Sequence, residues 1–508
     1  MTRPNVLLVT IDQIRADAIF GALGASVPLP NIRRLAASGT TFANHFTVTA
    51  PCGPARASLL TGLYAMNHRV IRNGAPLARY HTNLALEARK GGYEPLLFGY
   101  TDVQADPTDR APGDPDLASY EGVLPGFREL VELRFDSPRA WPAHLAAAGY
   151  ALPDKVEDLW KPVSPSGGAP AIRDPAFYDA KHSDTAFLTD ETLRALSVRT
   201  KEPWFAHVTY IRPHPPLVAP VPYNLLVDAA GLPAPIAAMP DHPFLTAWSS
   251  EPAQSGLYWG FDGDFARMDE RTVRDLRAVY LGLLAEVDHH LGRILDWLDD
   301  TGQAGNTLVV VTGDHGEMLG DHGVWGKDTF FDPVFNVPLV IRMPGRAKSA
   351  GSVVEAITES VDIAPTILAA LGLAVPAAMD GQPLQPLLDG VVPEGWRCAA
   401  FSEADFSVVN APTRFERALK LGPLDANMAV LREARWKYVH FNGGLPPLLF
   451  DLEGDPHETR NLAAERPDEV ARLRAVMLDR RMSRGFRGLT EWGPERAPPS
   501  LDGLRESS

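Results

Sequence analysis

The chain has 508 residues, 45% hydrophobic and 22% charged, with a formal net charge of −15 and only 2 cysteines. That length buries a large core and fits one big domain plus a smaller one, while the acidic balance offers no basic footprint to nucleic acid or to an anionic membrane. Cys52 and Cys398 cannot build a disulfide framework and fit a reducing compartment, read here as the cytoplasm.

In chain order, Asn5–Ile11 is a continuous apolar, β-branched run that predicts a central buried strand. It is too short for a secretory leader, and no run of about 18 apolar residues follows anywhere, so no membrane span is expected. Residues 31–38 predict a short helix capped by Asn31 and ended by Gly39. Residues 103–181 and 213–269 are long Pro-, Gly- and Asp-rich stretches of the kind that form functional lids or interface arms. Phe205–Tyr210 and residues 307–312 and 337–342 predict further buried strands. The clearest helix carries Leu276, Tyr280, Leu283, Val287, Leu291, Ile294 and Leu298 at spacings of three and four, and stops at Gly302. This alternation predicts an α/β sheet with helices on both faces. After a helix at 362–371 come short strands at 428–432, Trp436–Phe441 and 448–452, then a helix around 469–481. We read domains 1–385 and 386–508, the second a small α+β subdomain ending in a tail after Arg484.

Pro51-Cys52-Gly53-Pro54-Ala55-Arg56-Ala57-Ser58-Leu59-Leu60-Thr61-Gly62 carries the most chemistry. Cys52 precedes a helix-starting Pro54, at the positive end of the helix, and Arg56 adds a fixed cation one turn in. Such a place lowers a thiol pKa or holds an anion. A lone cysteine is more often a small buried hydrophobe, and Cys398 has no such context.

Asp12-Gln13 follows the first strand, at the sheet edge where α/β proteins place ligands, although an Asp there also serves as a turn residue. The run at 307–312 leads likewise into Gly313-Asp314-His315-Gly316-Glu317. Asp12, Asp314 and His315 would make an oxygen-and-nitrogen shell for a divalent cation. His214, in the rigid turn Arg212-Pro213-His214-Pro215-Pro216, suits a general acid, and Lys327 after Gly326 suits charge stabilisation. The pair His289-His290 reads as structural.

The string around Cys52 resembles the Cys-x-Pro-x-Arg signature, with its trailing Leu-Thr-Gly, of formylglycine-dependent sulfatases. The resemblance runs along the whole chain, through residues 280–293 to Leu449-Phe450-Asp451-Leu452, Asp455-Pro456 and Asn461-Leu462. Within the family, Cys52 to Arg56, Met66-Asn67-His68-Arg69, Gly99-Tyr100-Thr101 and Arg212 to Pro216 are most similar to bacterial phosphonate monoester hydrolases and their arylsulfatase relatives.

The resemblance implies an alkaline-phosphatase-like mixed sheet sandwiched by helices. It implies that a formylglycine-generating enzyme oxidises Cys52 to formylglycine, whose hydrate attacks sulfur or phosphorus with help from Asp314. One divalent metal, Mn2+ or Ca2+, would be held by Asp12, Gln13, Asp314, His315 and residue 52, with Arg56 beside it. Asn73, Tyr100, His214 and Lys327 would contact the transferred group or the leaving oxygen of a small anionic ester, in a homo-oligomeric enzyme.

The chain departs from the family in places. Gln13 stands where many members have a second Asp, and His315 where Asn is common. Gly99-Tyr100-Thr101-Asp102 replaces Gly-Lys-x-His, and the phosphonate branch tends to carry a hydroxyl where Asp102 stands. Fewer cations favour singly charged sulfate monoesters, phosphonate monoesters and phosphodiesters over phosphate dianions. Asp102, counted among the substrate-binding candidates, either adds negative charge, turns away, or pairs with Arg or Lys. Two further readings stand beside this one: a phosphatase or phosphotransferase using unmodified Cys52, and a non-catalytic binding protein. The intact set Asp12, Cys52, Arg56, Asp314 and Lys327 counts against the last.

Overall fold

Strand β1 (Asn5–Ile11) is buried along its whole length, because it is paired on both edges and covered on both faces. The computed structural model describes residues 3–485 apart from 109, 137, 200–202, 240, 254–255 and 409–410. Side chains alternate across a strand, and β1 divides them between two cores. Leu7, Val9 and Ile11 enter one, Val6 and Leu8 the other.

Along the chain follow β2 (Thr40–Phe42), β3 (His45–Phe46), β4 (Pro95–Gly99), β5 (Arg128–Glu132), β6 (Phe205–Tyr210), β7 (Thr307–Gly313), β8 (Leu339–Arg342), β9 (Ser352–Val354) and β10 (Thr358–Glu359). Eight of the strands form a sheet in the order β5-β4-β6-β1-β7-β8-β2-β9, while β3 and β10 pair separately. The centre is parallel and β8 runs antiparallel to both its neighbours, so the sheet is mixed.

The first core is covered by α1 (Pro30–Ser38), and the second by α2 (Cys52–Thr61) and α3 (Leu84–Lys90). Helices α4 (Asp184–Ser197) and α5 (Glu270–Asp300) join the first face, and α6 (Ile363–Ala370) the second. Beyond them, β11 (Ala399–Asp405), β12 (Asn427–Glu433), β13 (Trp436–Phe441) and β14 (Leu448–Asp451) make a four-stranded antiparallel sheet. Helix α7 (Pro467–Arg484) packs Leu473 and Met477 against its Tyr438 and Leu449. Among the described helices none is long and apolar enough to cross a membrane.

Several local expectations are corrected. Asn31 does not cap α1, which begins at Pro30; Asp288 of α5 accepts from the backbone N–H groups of Asn31 and Ile32 at 3.1 and 2.7 Å. A tertiary carboxylate has replaced the local cap. Residues 103–181 contain the edge strand β5 and a helix at Ala140–Ala147, and residues 213–269 a helix at Pro243–Trp248. The sequence Arg-Glu-Leu-Val-Glu of β5 is polar because an edge strand is half solvated. Strand β8 starts at Leu339 rather than residue 337. Strand β11, not anticipated, is masked in sequence by Ala, Ser, Glu and Asp, residues of low strand preference. The tail after Arg484, except Gly485, lies outside the described residues.

Candidate active site

The register of the three central strands assembles the site. Ile11 lies level with Tyr210 on one side and Gly313 on the other, so Asp12, the 212–216 turn and Asp314 emerge together at the carboxyl edge of the sheet. Helix α2 starts at Cys52 itself, with Pro51 as its cap residue and Pro54 inside the first turn. Its N-terminal N–H groups and dipole therefore point into the same edge. Gly53 is required here: a Cβ would meet the Asp102 carbonyl at 2.8 Å and Asn73 Oδ1 at 3.2 Å.

Cys52 Sγ lies 2.9 Å from Lys327 Nζ, 3.1 Å from His315 Nε2 and 3.8 Å from Asp12 Oδ1. Arg56, one turn along α2, donates from Nε to Asp314 Oδ2 at 2.8 Å and from Nη2 to Asp12 Oδ2 at 3.1 Å. Its guanidinium also lies 4.3 Å over the Tyr100 ring. Burial would raise the Asp12 carboxyl, but His214, Arg56 and Lys327 outweigh it and hold Asp12 well below the usual carboxylate range. Burial likewise opposes the charge on Lys327 and Arg56; the Asp12 and Asp314 carboxylates keep both charged.

The expectation of a lowered thiol pKa fails in these surroundings. Burial, then the Asp12 carboxylate, push the Cys52 thiol well up, against the pull of Lys327. The helix dipole is a partial charge and is outweighed by desolvation together with a full carboxylate.

One ligand atom each from Asp12, Cys52, Asp314 and His315 lies within 4.8 Å of the others, and all four residues are buried. The donors fit a divalent cation. His315 Nδ1–H donates to the Gly316 carbonyl at 2.9 Å, which fixes the tautomer and leaves Nε2 as a lone pair toward Cys52. Gly316 permits this close packing, since a Cβ would lie 1.9 Å from the Pro333 carbonyl oxygen. Gln13 sits at φ +62°, a left-handed conformation that is unusual outside glycine, and its N–H bonds Asp314 Oδ1 at 3.0 Å. Its side-chain oxygen accepts from Lys327 Nζ at 2.9 Å while its amide nitrogen donates to Glu317.

Asn73 Oδ1 accepts the Gly53 N–H at 2.9 Å. Tyr100 is turned inward, its hydroxyl bonded to Asp12 and accepting from Arg56 Nη2 at 3.2 Å. His214 donates from Nδ1 to the Pro215 carbonyl at 2.5 Å; burial and then Lys327 bring its pKa down to about 4.

Asp102 is neither exposed nor paired with a cation. It is 2% exposed, at φ +54°, and among the described residues neither carboxylate oxygen has a hydrogen-bond partner. Burial and then Glu121 push its pKa well up, which disfavours a negative charge at this position.

The structure thus brings together Asp12, Gln13, Cys52, Arg56, Asn73, Tyr100, Asp102, His214, Asp314, His315 and Lys327. Sequence reading missed Glu317 and Glu121. Glu317 orders Gln13 and accepts from Leu319 and Gly326 N–H at 3.1 and 2.5 Å; its place in the Asp-His-Gly-Glu string was the available signal. Glu121 lies in a Pro/Gly-rich stretch without any pattern. Cys398 is exposed and free, and His290 is buried and bonded to Arg293 at 3.1 Å, away from this site.

Comparison with known proteins agrees with this arrangement. The family described as Sulfatase matches residues 4–373, and the one described as N-sulphoglucosamine sulphohydrolase, C-terminal, matches residues 320–483. The multifunctional alkaline phosphatase superfamily protein PehA of Trinickia caryophylli is 40% identical over 97% of this chain and 98% of its own length. The phosphonate monoester hydrolase SpPMH from Silicibacter pomeroyi superposes with a TM-score of 0.91 at 46% identity, covering 96% of this chain and 97% of the other. The phosphonate monoester hydrolase of Agrobacterium radiobacter gives 0.89 at 42% identity, covering 95% and 96%. With strand-end carboxylates, a helix-opening cysteine and the family match over most of its length, the chain belongs to the sulfatase family of the alkaline phosphatase superfamily and is a hydrolase.

Proposed function

We propose that the protein is a metal- and formylglycine-dependent hydrolase of singly charged sulfate esters, phosphonate monoesters and phosphodiesters. The observation that carries this reading is the placement of Cys52. It opens α2, with Lys327 Nζ 2.9 Å away and the donors of Asp12, Asp314 and His315 around it. A small anion centred there meets a helix N-terminus, Lys327 and Arg56 at once. The names of PehA and of the two phosphonate monoester hydrolases support the breadth of ester class.

Asp12, Gln13, Asp314, His315 and residue 52 would hold the cation, Mn2+ or Ca2+. Bound there, it supplies Lewis-acid polarisation, and formylglycine at residue 52 supplies a hydrated aldehyde oxygen as the nucleophile. The remaining work falls to the side chains. Arg56 holds the Asp12 and Asp314 carboxylates in place. Asn73 fixes the Gly53 backbone through Oδ1, which leaves its amide N–H groups for the transferred group. Lys327 neutralises charge on that group or on the departing oxygen. His214 Nε2 delivers a proton to that oxygen, the anionic ester offsetting Lys327 and raising the imidazole pKa. Tyr100 presents no full positive charge, and the site therefore suits a monoanion. Maturation by a formylglycine-generating enzyme and homo-oligomeric assembly belong to the same proposal.

Mass spectrometry of the Cys52 peptide from active enzyme tests it. Formylglycine is expected; a fully active preparation with an unmodified thiol would overturn the mechanism. Turnover of aryl sulfate, phenyl phosphonate monoester and phosphodiester on that preparation tests the substrate class, and a preference for phosphate dianions would contradict it.

A further inference from the structure

The flank of the site that carries His214 is held from beneath by a charge that takes no part in the chemistry above. Arg212 is 1% exposed. Its Nε donates to Asp184 Oδ2 at 2.9 Å, and its Nη1 donates to the carbonyls of His214 and Pro216 at 3.1 and 2.9 Å. Asp184, at the first turn of α4, is 3% exposed, and its other oxygen accepts from the Thr185 N–H at 2.8 Å. Tyr178 and Glu286 of α5, both buried, complete the electrostatic surroundings of Arg212.

A guanidinium is expensive to bury and is kept where its fork geometry is used. Here the fork spans two carbonyls of one short turn and a carboxylate of another element. The His214 ring is fixed from two further directions, by its own Nδ1–H bond to the Pro215 carbonyl and by Phe135 with ring centroids 5.7 Å apart. Among the described residues Nε2 has no partner, so every restraint on this imidazole lies on the side away from the reacting group.

We propose that Arg212, braced by Asp184, is a positioning residue that aims His214 Nε2 at the departing oxygen. The proposal rests on the reading of His214 as the group that protonates that oxygen. It separates Arg212 from a merely structural ion pair. A structural loss lowers turnover of all esters alike, whereas a misaimed proton donor penalises esters of weakly acidic alcohols most.

The test uses mature full-length enzyme and a series of aryl sulfates whose phenols differ in acidity, reading the slope of log kcat/KM against leaving-group pKa. His214→Ala is expected to steepen the slope, with a loss of about a hundredfold at the least acidic phenol and little at the most acidic. Arg212→Met and Asp184→Asn should steepen it in the same sense, by about tenfold at the poor end. Arg212→Met added to His214→Ala should steepen it no further. Should Arg212→Met fail to fold, Asp184→Asn, which keeps the shape of the side chain, carries the decision. A uniform loss across the series in the Arg212 and Asp184 variants, or extra steepening in the double variant, would overturn the proposal. An unchanged slope in His214→Ala would remove the proton-donor reading itself, and the positioning role with it.

Discussion

Two buried clusters of charge in this protein are built differently. Beneath α7, Arg397 bonds Asp362 at 2.7 Å and Glu359 at 3.3 Å, while Arg480 reaches Glu359 at 3.2 Å and the Tyr64 hydroxyl at 2.6 Å. Two guanidinium groups answer two carboxylates, and the Tyr64 hydroxyl donates to Glu359 at 2.5 Å. At the sheet edge, Arg56 and Lys327 likewise face Asp12 and Asp314, but there four donor atoms converge within 4.8 Å, and neither oxygen of Asp102 has a hydrogen-bond partner among the described residues. The first cluster spends its charges on joining chain segments that lie far apart in sequence. The second leaves donor atoms aimed at a common point, which is the condition for holding something that is not protein. Burial alone does not tell a reactive centre from a structural one; the state of its donors does.

The sharpest separation comes from Cys52→Ala. It should lower kcat/KM by about 10⁴-fold or more, while the melting temperature stays within about 2 °C of the parent because a small buried side chain is exchanged for another. Steady-state kinetics alongside a thermal melt reads both, and full activity would sink the assignment of the nucleophile.

Arg397→Ala should do the reverse. Leaving Asp362 and Glu359 short of a partner costs about 3–5 kcal/mol, visible as a lower denaturation midpoint, with kcat per folded molecule within about twofold. If activity fell as steeply as stability, the two clusters would not be independent.

Glu121 gives a pH signature to the wall of the site. Burial raises its pKa to about 8, against about 4.3 in an unfolded chain. Between those values the folded state binds a proton that the unfolded state has released, so this contribution to stability is complete below about pH 4.3 and declines until about pH 8. Glu121→Gln removes the decline, and the melting temperature of the parent should drop by several degrees more than the variant's between about pH 5 and pH 8. Parallel curves would show that Glu121 is ionised in the folded protein.

Asp102→Asn is the smallest expected change. Since burial disfavours charge on this carboxyl, an amide of the same shape should shift the ratio of sulfate ester to phosphate monoester turnover by less than about threefold. A gain of about tenfold toward phosphate dianions would show a charged carboxylate and return Asp102 to the electrostatics of selection.

From sequence alone came the strands that lead into Asp12 and Asp314, a helix start placed at Pro54, two residues after Cys52, where the structure opens it at Cys52 itself, and the stretch that brings Arg56 one turn behind that cysteine. These rest on local regularities: period, β-branching, a proline-rich helix start and fixed spacing. The sequence also carried Trp436–Phe441 and the core of α5, whose apolar pattern is unbroken. Tertiary structure decided what depends on contacts hundreds of residues apart or on exclusion of water. Asp288 caps α1 across 256 residues, and Gln13 turns to Lys327 across 314. The Arg212 clamp depends on where α4 begins. The two pKa reversals have the same origin. Cys52 sits at a helix N-terminus, as its sequence announces, yet its thiol pKa is pushed up; Asp102 looks like an added charge, yet its carboxyl pKa is pushed up as well. Desolvation reverses both, and no local pattern of residues reports how much water a folded chain removes.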